Sequence, residues 1–207
     1  MDPLSTIFFI AILIISVIIH ELAHGYMADY LGDPTPRQQG RLTLNPIPHL
    51  SLMGSVIVPL LLALSGTGVI FGWANPVQYN PMNIRNRRWG AALIAIAGPA
   101  SNIILAIVFG LVLRFAGGAL PAGVATLFSG ITLINIVLAI FNLIPIPPLD
   151  GHHILFALIP EKYNHIKDYI RRYAMILVIA VVFFAWRFIS PIIFVLYNAL
   201  VGGMPLM

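Results

Sequence analysis

Cysteine is absent from this 207-residue chain, and charged side chains are scarce. Without cysteine the chain forms neither a disulfide framework nor a thiolate metal site, so any bound metal must take nitrogen and oxygen ligands. Only 9% of the residues are charged, whereas 59% are hydrophobic, which is typical of an integral membrane protein. The net charge of +4 comes from basic residues at the ends of apolar stretches, so it does not indicate nucleic-acid binding.

Long apolar runs make up most of the chain. They cover residues 4–28, 52–71, 91–115, 124–148, 172–189 and 191–203. Runs of about 20 apolar residues predict transmembrane helices, and the last run is short for a full span. We therefore predict a single all-α integral membrane domain over residues 1–207, a bundle of about five to six transmembrane helices. The amino terminus has no Lys or Arg before its first apolar run, so we expect no cleavable signal peptide.

Residues 40–50 depart from the helical pattern, because Leu42 and Leu44 alternate with polar residues before two prolines. This alternation predicts a short β segment or hairpin after the first helix. An open strand edge cannot face lipid, so the segment would line a cavity, where its edge could pair with an extended substrate. Glycines and prolines between residues 52 and 80 favour a re-entrant hairpin or a pair of passes there.

Inside the first apolar run, His20, Glu21 and His24 form the pattern His-Glu-x-x-His. On a helix, residues at i and i+4 project from one face, so the two imidazoles can bind one zinc ion while Glu21 acts on a water at the metal. The pattern also arises by chance on solvated helices. In a membrane helix, however, a charged residue costs about 2.5 to 3.5 kcal/mol and seldom occurs without a role. We interpret the pattern as the site of a zinc hydrolase.

A catalytic zinc normally has three protein ligands, and the sequence offers few further candidates. One common pattern needs a histidine six residues after His24, where this chain has Tyr30. Asp150 is the most suggestive carboxylate, because it follows three prolines at the end of an apolar run and matches the histidine pair in depth. Three other histidines stay open as helpers, competitors or interfacial residues: His49, His152 and His153.

Two asparagines stand close to these motifs in the sequence. Asn102 lies near the start of a later apolar helix, and Asn142 precedes the prolines that lead to Asp150. Either amide could stabilise an oxyanion or hold the substrate backbone. Either could instead only satisfy backbone groups at a helix end.

Together these motifs resemble the site-2 protease family of intramembrane zinc metalloproteases. The resemblance rests on His20-Glu21-Leu-Ala-His24, on Gly98-Pro-Ala-Ser-Asn102, and on Asn142-Leu-Ile-Pro145 through Leu149-Asp150-Gly151. It implies one Zn²⁺ per chain, bound by His20, His24 and Asp150. It also implies that Glu21 is the catalytic acid and base, and that the substrate is a transmembrane helix cleaved within the membrane. The short loops resemble the compact branch of the family, which lacks PDZ and CBS domains.

The distribution of basic residues predicts an orientation in the membrane. If the first and fourth apolar runs are parallel, one face collects most arginines and lysines, and the opposite face has only Arg114 and Arg187. We expect the basic face to be cytoplasmic in the cell membrane, with the zinc site toward that side. Substrates would then be recognised by the membrane core itself or through a regulatory membrane partner.

Two other classes of protein fit parts of the sequence. A polytopic divalent-metal transporter also has intramembrane histidines and carboxylates, but it would need several sites along a pore, whereas this sequence offers one tight cluster. A di-iron oxidase would need a second Glu-x-x-His, but Glu161 is followed by Asn164 at that spacing. A catalytically inactive scaffold would usually lack one of the motif residues, and all are present here.

Overall fold

The computed structural model describes residues 3–57, 61, 75–181 and 186–203. The α-helices of these ranges are α1 (Pro3–Tyr30), α2 (Thr35–Gln38), α3 (Arg87–Ala116), α4 (Ala122–Asn142), α5 (Gly151–Leu158), α6 (Asn164–Arg172), α7 (Ala174–Ala180) and α8 (Trp186–Val201). Short 3₁₀ turns cover Ile47–His49, Gly117–Ala119 and Glu161–Tyr163, and a π-helical segment covers Leu52–Ile57.

Three of the described helices are long and apolar enough to cross a membrane. The spans are Thr6–Tyr30 in α1, Arg88–Ala119 in α3 and the turn after it, and Ala122–Asn142 in α4. The predicted all-helical membrane class is therefore confirmed, and the protein is a multi-pass membrane protein. The sequence predicts about five to six transmembrane helices. A further apolar helix, α8, has only 16 residues and is shorter than these three spans. The runs at 52–71 and 172–189 lie partly outside the described residues, and so does the choice between a span and a re-entrant hairpin at 52–71.

Capping residues and prolines set the ends of the central helices. Asn86 precedes α3, and its side-chain oxygen accepts a hydrogen bond from Trp89 N at 3.1 Å, which satisfies a free donor of the first turn. Pro121 directly precedes α4, a position where its missing N–H removes no helical bond. After Asn142 three prolines prevent the helix from continuing, so the chain turns irregularly toward α5.

α1 and α3 run antiparallel. His20 of α1 contacts Asn102 of α3 at 2.6 Å, and His24, one turn later on α1, contacts the carbonyl of Ile94, two turns earlier on α3. Contacts that move forward along one helix and backward along the other define an antiparallel pair.

α1 and α4 run parallel. Ile12 lies against Gly130, where an added Cβ would be 3.2 Å from the Ile12 side chain. One turn further along α1, Ser16 Oγ accepts a hydrogen bond from Asn135 of α4 at 2.9 Å. The carboxyl ends of both helices therefore lie on the same side of the bundle. The loop after α4 is thus on the same side as the part of α1 that contains His20 and His24.

α8 packs against α3 and α4 with its carboxyl end next to Arg114. The Arg114 guanidinium donates a hydrogen bond to the carbonyl of Ala199 at 2.7 Å, and Tyr197 is hydrogen-bonded to Ser129 at 2.6 Å. A helix rises about 1.5 Å per residue, so Arg187, twelve residues before Ala199, lies roughly 18 Å back along α8. The expectation that Arg114 and Arg187 share one face is therefore wrong.

The predicted β segment at residues 40–50 is also wrong, because this stretch forms bends and a 3₁₀ turn. Pro46 and Pro48 have no N–H to donate to a strand ladder. Local bonds satisfy the backbone instead: the Asn45 side chain accepts from Ile47 N at 3.1 Å, and His49 Nε2 donates to the carbonyl of Thr43 at 2.9 Å. The stretch therefore offers no strand edge to a substrate.

Candidate metal centre

His20 and His24 lie one helical turn apart on α1 and point to the same place. Their rings meet edge to face with centroids 4.6 Å apart, and their Nε2 atoms are 3.0 Å apart. Both residues are buried between α1 and α3. The i, i+4 spacing is sufficient to bring the two imidazoles together, because both side chains project from the same helical face.

Asp150 reaches the histidine pair from the loop after α4. Its Oδ2 atom lies 3.0 Å from His20 Nε2 and 3.3 Å from His24 Nε2. Asp150 directly precedes α5, but its side chain does not cap that helix. At the next position, an added Cβ on Gly151 would lie 2.2 Å from the carbonyl oxygen of Leu143. Glycine thus allows α5 to pack tightly on the loop, which holds the Asp150 carboxylate over the imidazoles.

Hydrogen bonds fix the tautomer of both histidines. His24 Nδ1 lies 2.7 Å from the carbonyl oxygen of Ile94, which can only accept, so Nδ1 carries a proton and Nε2 is the nitrogen that the neutral ring offers to a metal. His20 Nδ1 donates in the same way to Asn102 Oδ1 at 2.6 Å. Asp150 Oδ2 is buried and has no hydrogen-bond donor within the described structure. His20 Nε2, His24 Nε2 and Asp150 Oδ2 therefore converge within 3.0–3.3 Å of one another, an arrangement that a bound cation would stabilise.

The tautomer of His20 is set by a chain of buried amides. Asn135 Nδ2 donates to the carbonyl of Ile131 at 2.8 Å and to Ser16 Oγ at 2.9 Å, so Asn135 Oδ1 is left as an acceptor. Asn102 Nδ2 donates to that oxygen at 2.8 Å, which turns Asn102 Oδ1 toward His20. Both asparagines are completely buried. The donor and acceptor of every hydrogen bond in this series therefore follow from the backbone carbonyl of Ile131, which can only accept.

Gly98 forms the wall of α3 behind the histidine pair. A Cβ at this position would lie 2.4 Å from His24 Nε2 and 2.6 Å from His20 Cε1. Real Cβ contacts are never this short, so only glycine permits α3 to approach both imidazoles. This close approach is the structural role of the glycine in Gly98-Pro-Ala-Ser-Asn102.

The three ligand atoms fit a tetrahedral zinc ion. Zinc binds histidine nitrogen and carboxylate oxygen at about 2.0–2.2 Å, so neighbouring ligands in a tetrahedral site are roughly 3.3–3.5 Å apart. The observed separations of His20 Nε2, His24 Nε2 and Asp150 Oδ2 are 3.0–3.3 Å. Three nitrogen and oxygen ligands from a catalytic motif leave a fourth position open, as in hydrolytic zinc sites.

Glu21 lies beside this cluster on the wall of a cavity of about 200 Å³. Its Oε2 atom accepts a hydrogen bond from Val77 N at 2.8 Å. The cavity is lined by Glu21, His24, Pro76, Val77, Tyr79, Ala91, Ile94, Ala95, Pro148, Asp150 and His153. Glu21 and two of the candidate metal ligands, His24 and Asp150, thus line one cavity, which is the geometry needed for acid–base chemistry next to a metal.

The other residues singled out by sequence have different positions. Asn102 is buried behind His20, and Asn142 donates to the carbonyl of Leu138 at 3.0 Å; neither lines the cavity. His49 is buried in the turn after α2 and does not line the cavity, although its carbonyl accepts a hydrogen bond from Asn75 N at 2.8 Å. Of the histidines left open, His153 is on the wall, and burial lowers its pKa to about 4, so its imidazole is neutral near pH 7.

Sequence reasoning missed Ser16, Asn135, Val77 and Tyr79. A signal existed for Asn135, because an uncharged but strongly polar residue inside the span Ala122–Asn142 needs a buried partner. Ser16 gives a weaker signal of the same kind. Val77 contributes a backbone N–H, which no side-chain pattern reveals.

A multi-pass membrane protein with a His–His–carboxylate centre and an adjacent glutamate belongs to the class of membrane metallohydrolases by its fold and site. Comparison with known proteins narrows this class. The model of Peptidase family M50 matches residues 110–185, which include Asp150. No solved structure gives a significant match to the chain.

Curated relatives carry the same description. The chain is 43% identical over 166 residues to the proposed zinc metalloprotease YwhC of Bacillus subtilis, covering 76% of this chain and 72% of YwhC. It is 35% identical over 144 residues to the proposed zinc metalloprotease Rip2 of Mycolicibacterium smegmatis, covering 67% of this chain and 52% of Rip2. A zinc metalloprotease of Methanocaldococcus jannaschii is 29% identical over 157 residues, covering 76% of this chain and 36% of the relative.

The chain belongs to Peptidase family M50, the family of the site-2 proteases. The predicted enzyme class and cofactor are confirmed: the protein is a zinc metalloprotease, and its His20, His24 and Asp150 cluster is the candidate zinc site of the described residues.

Proposed function

We propose that this protein hydrolyses peptide bonds within or near transmembrane segments of membrane-protein substrates. His20, His24 and Asp150 hold one zinc ion, and Glu21 is the catalytic acid and base. The observation that supports this most strongly is the convergence of the three ligand atoms within 3.0–3.3 Å of one another, with His24, Asp150 and Glu21 on the wall of one cavity.

The depth of the centre supports cleavage inside the membrane. His24 lies six residues before the end of the span Thr6–Tyr30, which is roughly 9 Å at 1.5 Å per residue. A substrate must therefore present its scissile bond below the membrane surface. A helical segment hides its carbonyls in internal hydrogen bonds, so it must unwind locally to reach Glu21.

The metal centre, Glu21 and two residues of the cavity wall have separate roles in the proposed peptide hydrolysis. Zinc bound at the centre supplies a Lewis acid that polarises the scissile carbonyl and activates water. Glu21 takes a proton from the attacking water and delivers it to the leaving amide nitrogen, so no covalent intermediate is needed. Tyr79 and His153 stand on the same wall, where an O–H or N–H can donate to the developing oxyanion.

The two asparagines take different roles in this proposal. Asn102 is fully buried and donates to Asn135, so it orients His20 from behind and does not contact the substrate. Asn142 lies at the end of α4, next to the loop that carries Asp150. It lies outside the cavity wall, so we propose that it contacts the substrate backbone beyond the reaction centre.

The basic face supports a cytoplasmic orientation of the centre in the cell membrane. Nine arginines and lysines lie on the side where α1 ends, α3 begins and α4 ends: Arg37, Arg41, Arg85, Arg87, Arg88, Lys162, Lys167, Arg171 and Arg172. Arg187 lies toward the same side along α8. Positive loops of membrane proteins face the cytoplasm. Substrates and any regulatory partner are then membrane proteins that approach from within the bilayer.

The substitution Glu21→Gln tests the proposal, with Glu161→Gln as the matched control, because Glu161 is the other glutamate of the chain and is exposed. The purified proteins are incubated in liposomes with a panel of single-span substrates, and fragment masses and zinc content are measured. We expect wild type and Glu161→Gln to cut, and Glu21→Gln to keep its zinc while losing at least about 100-fold in rate.

Two results would contradict the proposal. A wild-type protein that holds no zinc would remove its metal centre. Zinc flux into liposomes that continues in Glu21→Gln without any cleavage by the wild type would instead support a metal transporter.

A further inference from the structure

We infer that Asp33 is a positioning residue that holds the catalytic carboxylate of Glu21 through residues 75–83, here called the 75–83 segment. The inference rests on the proposed function of Glu21. The 75–83 segment has no regular secondary structure, yet it forms part of the cavity wall through Pro76, Val77 and Tyr79. Something outside the segment must therefore fix its backbone.

The segment is hydrogen-bonded to Glu21 through a main-chain group. Val77 N donates to Glu21 Oε2 at 2.8 Å, and this bond joins residues 56 positions apart in the sequence. The direction of the glutamate carboxylate therefore depends on where the backbone of Val77 lies. A shift of the segment would turn the carboxylate without changing either metal-binding imidazole.

Asp33 binds the same segment three residues further on. Its Oδ2 accepts from Asn80 N at 2.6 Å, and its Oδ1 accepts from Asn83 Nδ2 at 2.7 Å. Asp33 is completely buried, although its neighbours in the turn after α1 are partly exposed. A buried carboxylate is stable only with such donors, so these bonds are strong and directional.

Asp33 is itself held rigidly to the end of α1. Its backbone N–H donates to the carbonyl of Ala28 at 3.0 Å, and its Oδ1 accepts from Thr35 Oγ1 at 2.6 Å and from Thr35 N at 3.2 Å. Glu21 lies earlier on α1. Helix α1 and the turn after it thus bind the 75–83 segment at two points, with Glu21 at Val77 N and Asp33 at Asn80 N.

The test compares Asp33→Asn with Asp29→Asn in full-length protein in liposomes. The substitution Asp33→Asn removes the charge and turns an amide N–H toward donors, whereas Asp29 pairs with Arg37 at 2.5 Å and not with the segment. We expect Asp33→Asn to lower kcat about tenfold, a fraction of the 10²–10⁴-fold that a positioned base contributes, with unchanged KM and zinc content. Asp29→Asn should match wild type.

A spectroscopic measurement reports the segment without any substrate. The chain has no cysteine, so Gln78→Cys, at an exposed position, carries one spin label. The label should become more mobile in Asp33→Asn and not in Asp29→Asn. Asn83→Ala removes only one of the bonds, so it should fall between wild type and Asp33→Asn in both rate and mobility, and it serves if Asp33→Asn does not fold.

The outcomes separate this inference from the proposed function. Equal cleavage by wild type and Glu21→Gln would remove the catalytic role of Glu21 itself. The positioning role of Asp33 would be overturned if Glu21→Gln is inactive but both Asp33→Asn and Asn83→Ala cleave at the wild-type rate and show the label mobility of wild type. Loss of zinc in Asp33→Asn would also overturn it, because the residue would then act on the metal centre.

Discussion

The substitution Gly98→Ala tests whether close approach of α3 shapes the metal centre. The new Cβ would lie 2.4 Å from His24 Nε2, 2.5 Å from His24 Cε1 and 2.6 Å from His20 Cε1. Nonbonded heavy atoms pack at about 3.5 Å, so the imidazoles or the helix must move by roughly 1 Å. Metal–ligand distances tolerate only about 0.2 Å.

The expected loss of zinc affinity in Gly98→Ala is about 100-fold or more, because both candidate histidine ligands are displaced and loss of a single supporting contact already costs about 10–100-fold. Zinc content is measured after dialysis against a graded series of metal buffers, and thermal unfolding is recorded in the same samples. The readout is metal affinity, so no substrate is required.

Two other glycines provide controls for Gly98→Ala. An added Cβ at Gly123 meets nothing within 4 Å, so Gly123→Ala should behave like wild type. An added Cβ at Gly110 would lie 2.8 Å from Leu200 Cβ, far from the histidines, so Gly110→Ala should lower thermal stability while keeping zinc affinity. Wild-type zinc affinity in Gly98→Ala would refute the reasoning.

Two further predictions concern buried polar groups. Asn102→Ala should weaken zinc binding about 10–100-fold, because His20 Nδ1 loses its acceptor and the tautomer is no longer fixed; unchanged affinity in metal-buffer titrations would contradict this. Burial raises the pKa of Asp33, but hydrogen bonds from Thr35, Asn83 and Asn80 lower it more, so the net pKa is below its ordinary value. Its stabilisation is therefore full above the unfolded pKa of about 3.9 and is lost as the pH falls through the folded pKa. The difference in Tm between wild type and Asp33→Asn should shrink as the pH is lowered from about 6 to about 3, and a pH-independent difference would refute the assignment.

The residues of the metal cluster could be predicted because the histidine pair is a local helical pattern and acidic residues are rare in this chain. His20 and His24 need only a helix to meet, and Asp150 stood out because the chain has few acidic residues and this one follows a proline-rich break. The sequence could not predict the amide chain from Ile131 to Asn102, because the direction of each amide depends on tertiary contacts between α1, α3 and α4.

The failed prediction of a β segment has a physical cause as well. The alternation of Leu42 and Leu44 satisfies a strand pattern, but a strand also needs a partner to bond its backbone, and here Asn45 and His49 satisfy that backbone locally. The division of the chain into a single domain over residues 1–207 stays a prediction.

The bond from Val77 N to Glu21 has an evolutionary consequence. A main-chain donor is supplied by every amino acid except proline, so the orienting contact does not depend on which side chain residue 77 carries, and only the packing of that buried side chain restricts the choice. Sequence comparison alone would overlook this position. Selection would act visibly on the buried carboxylate of Asp33, which keeps the donor in place.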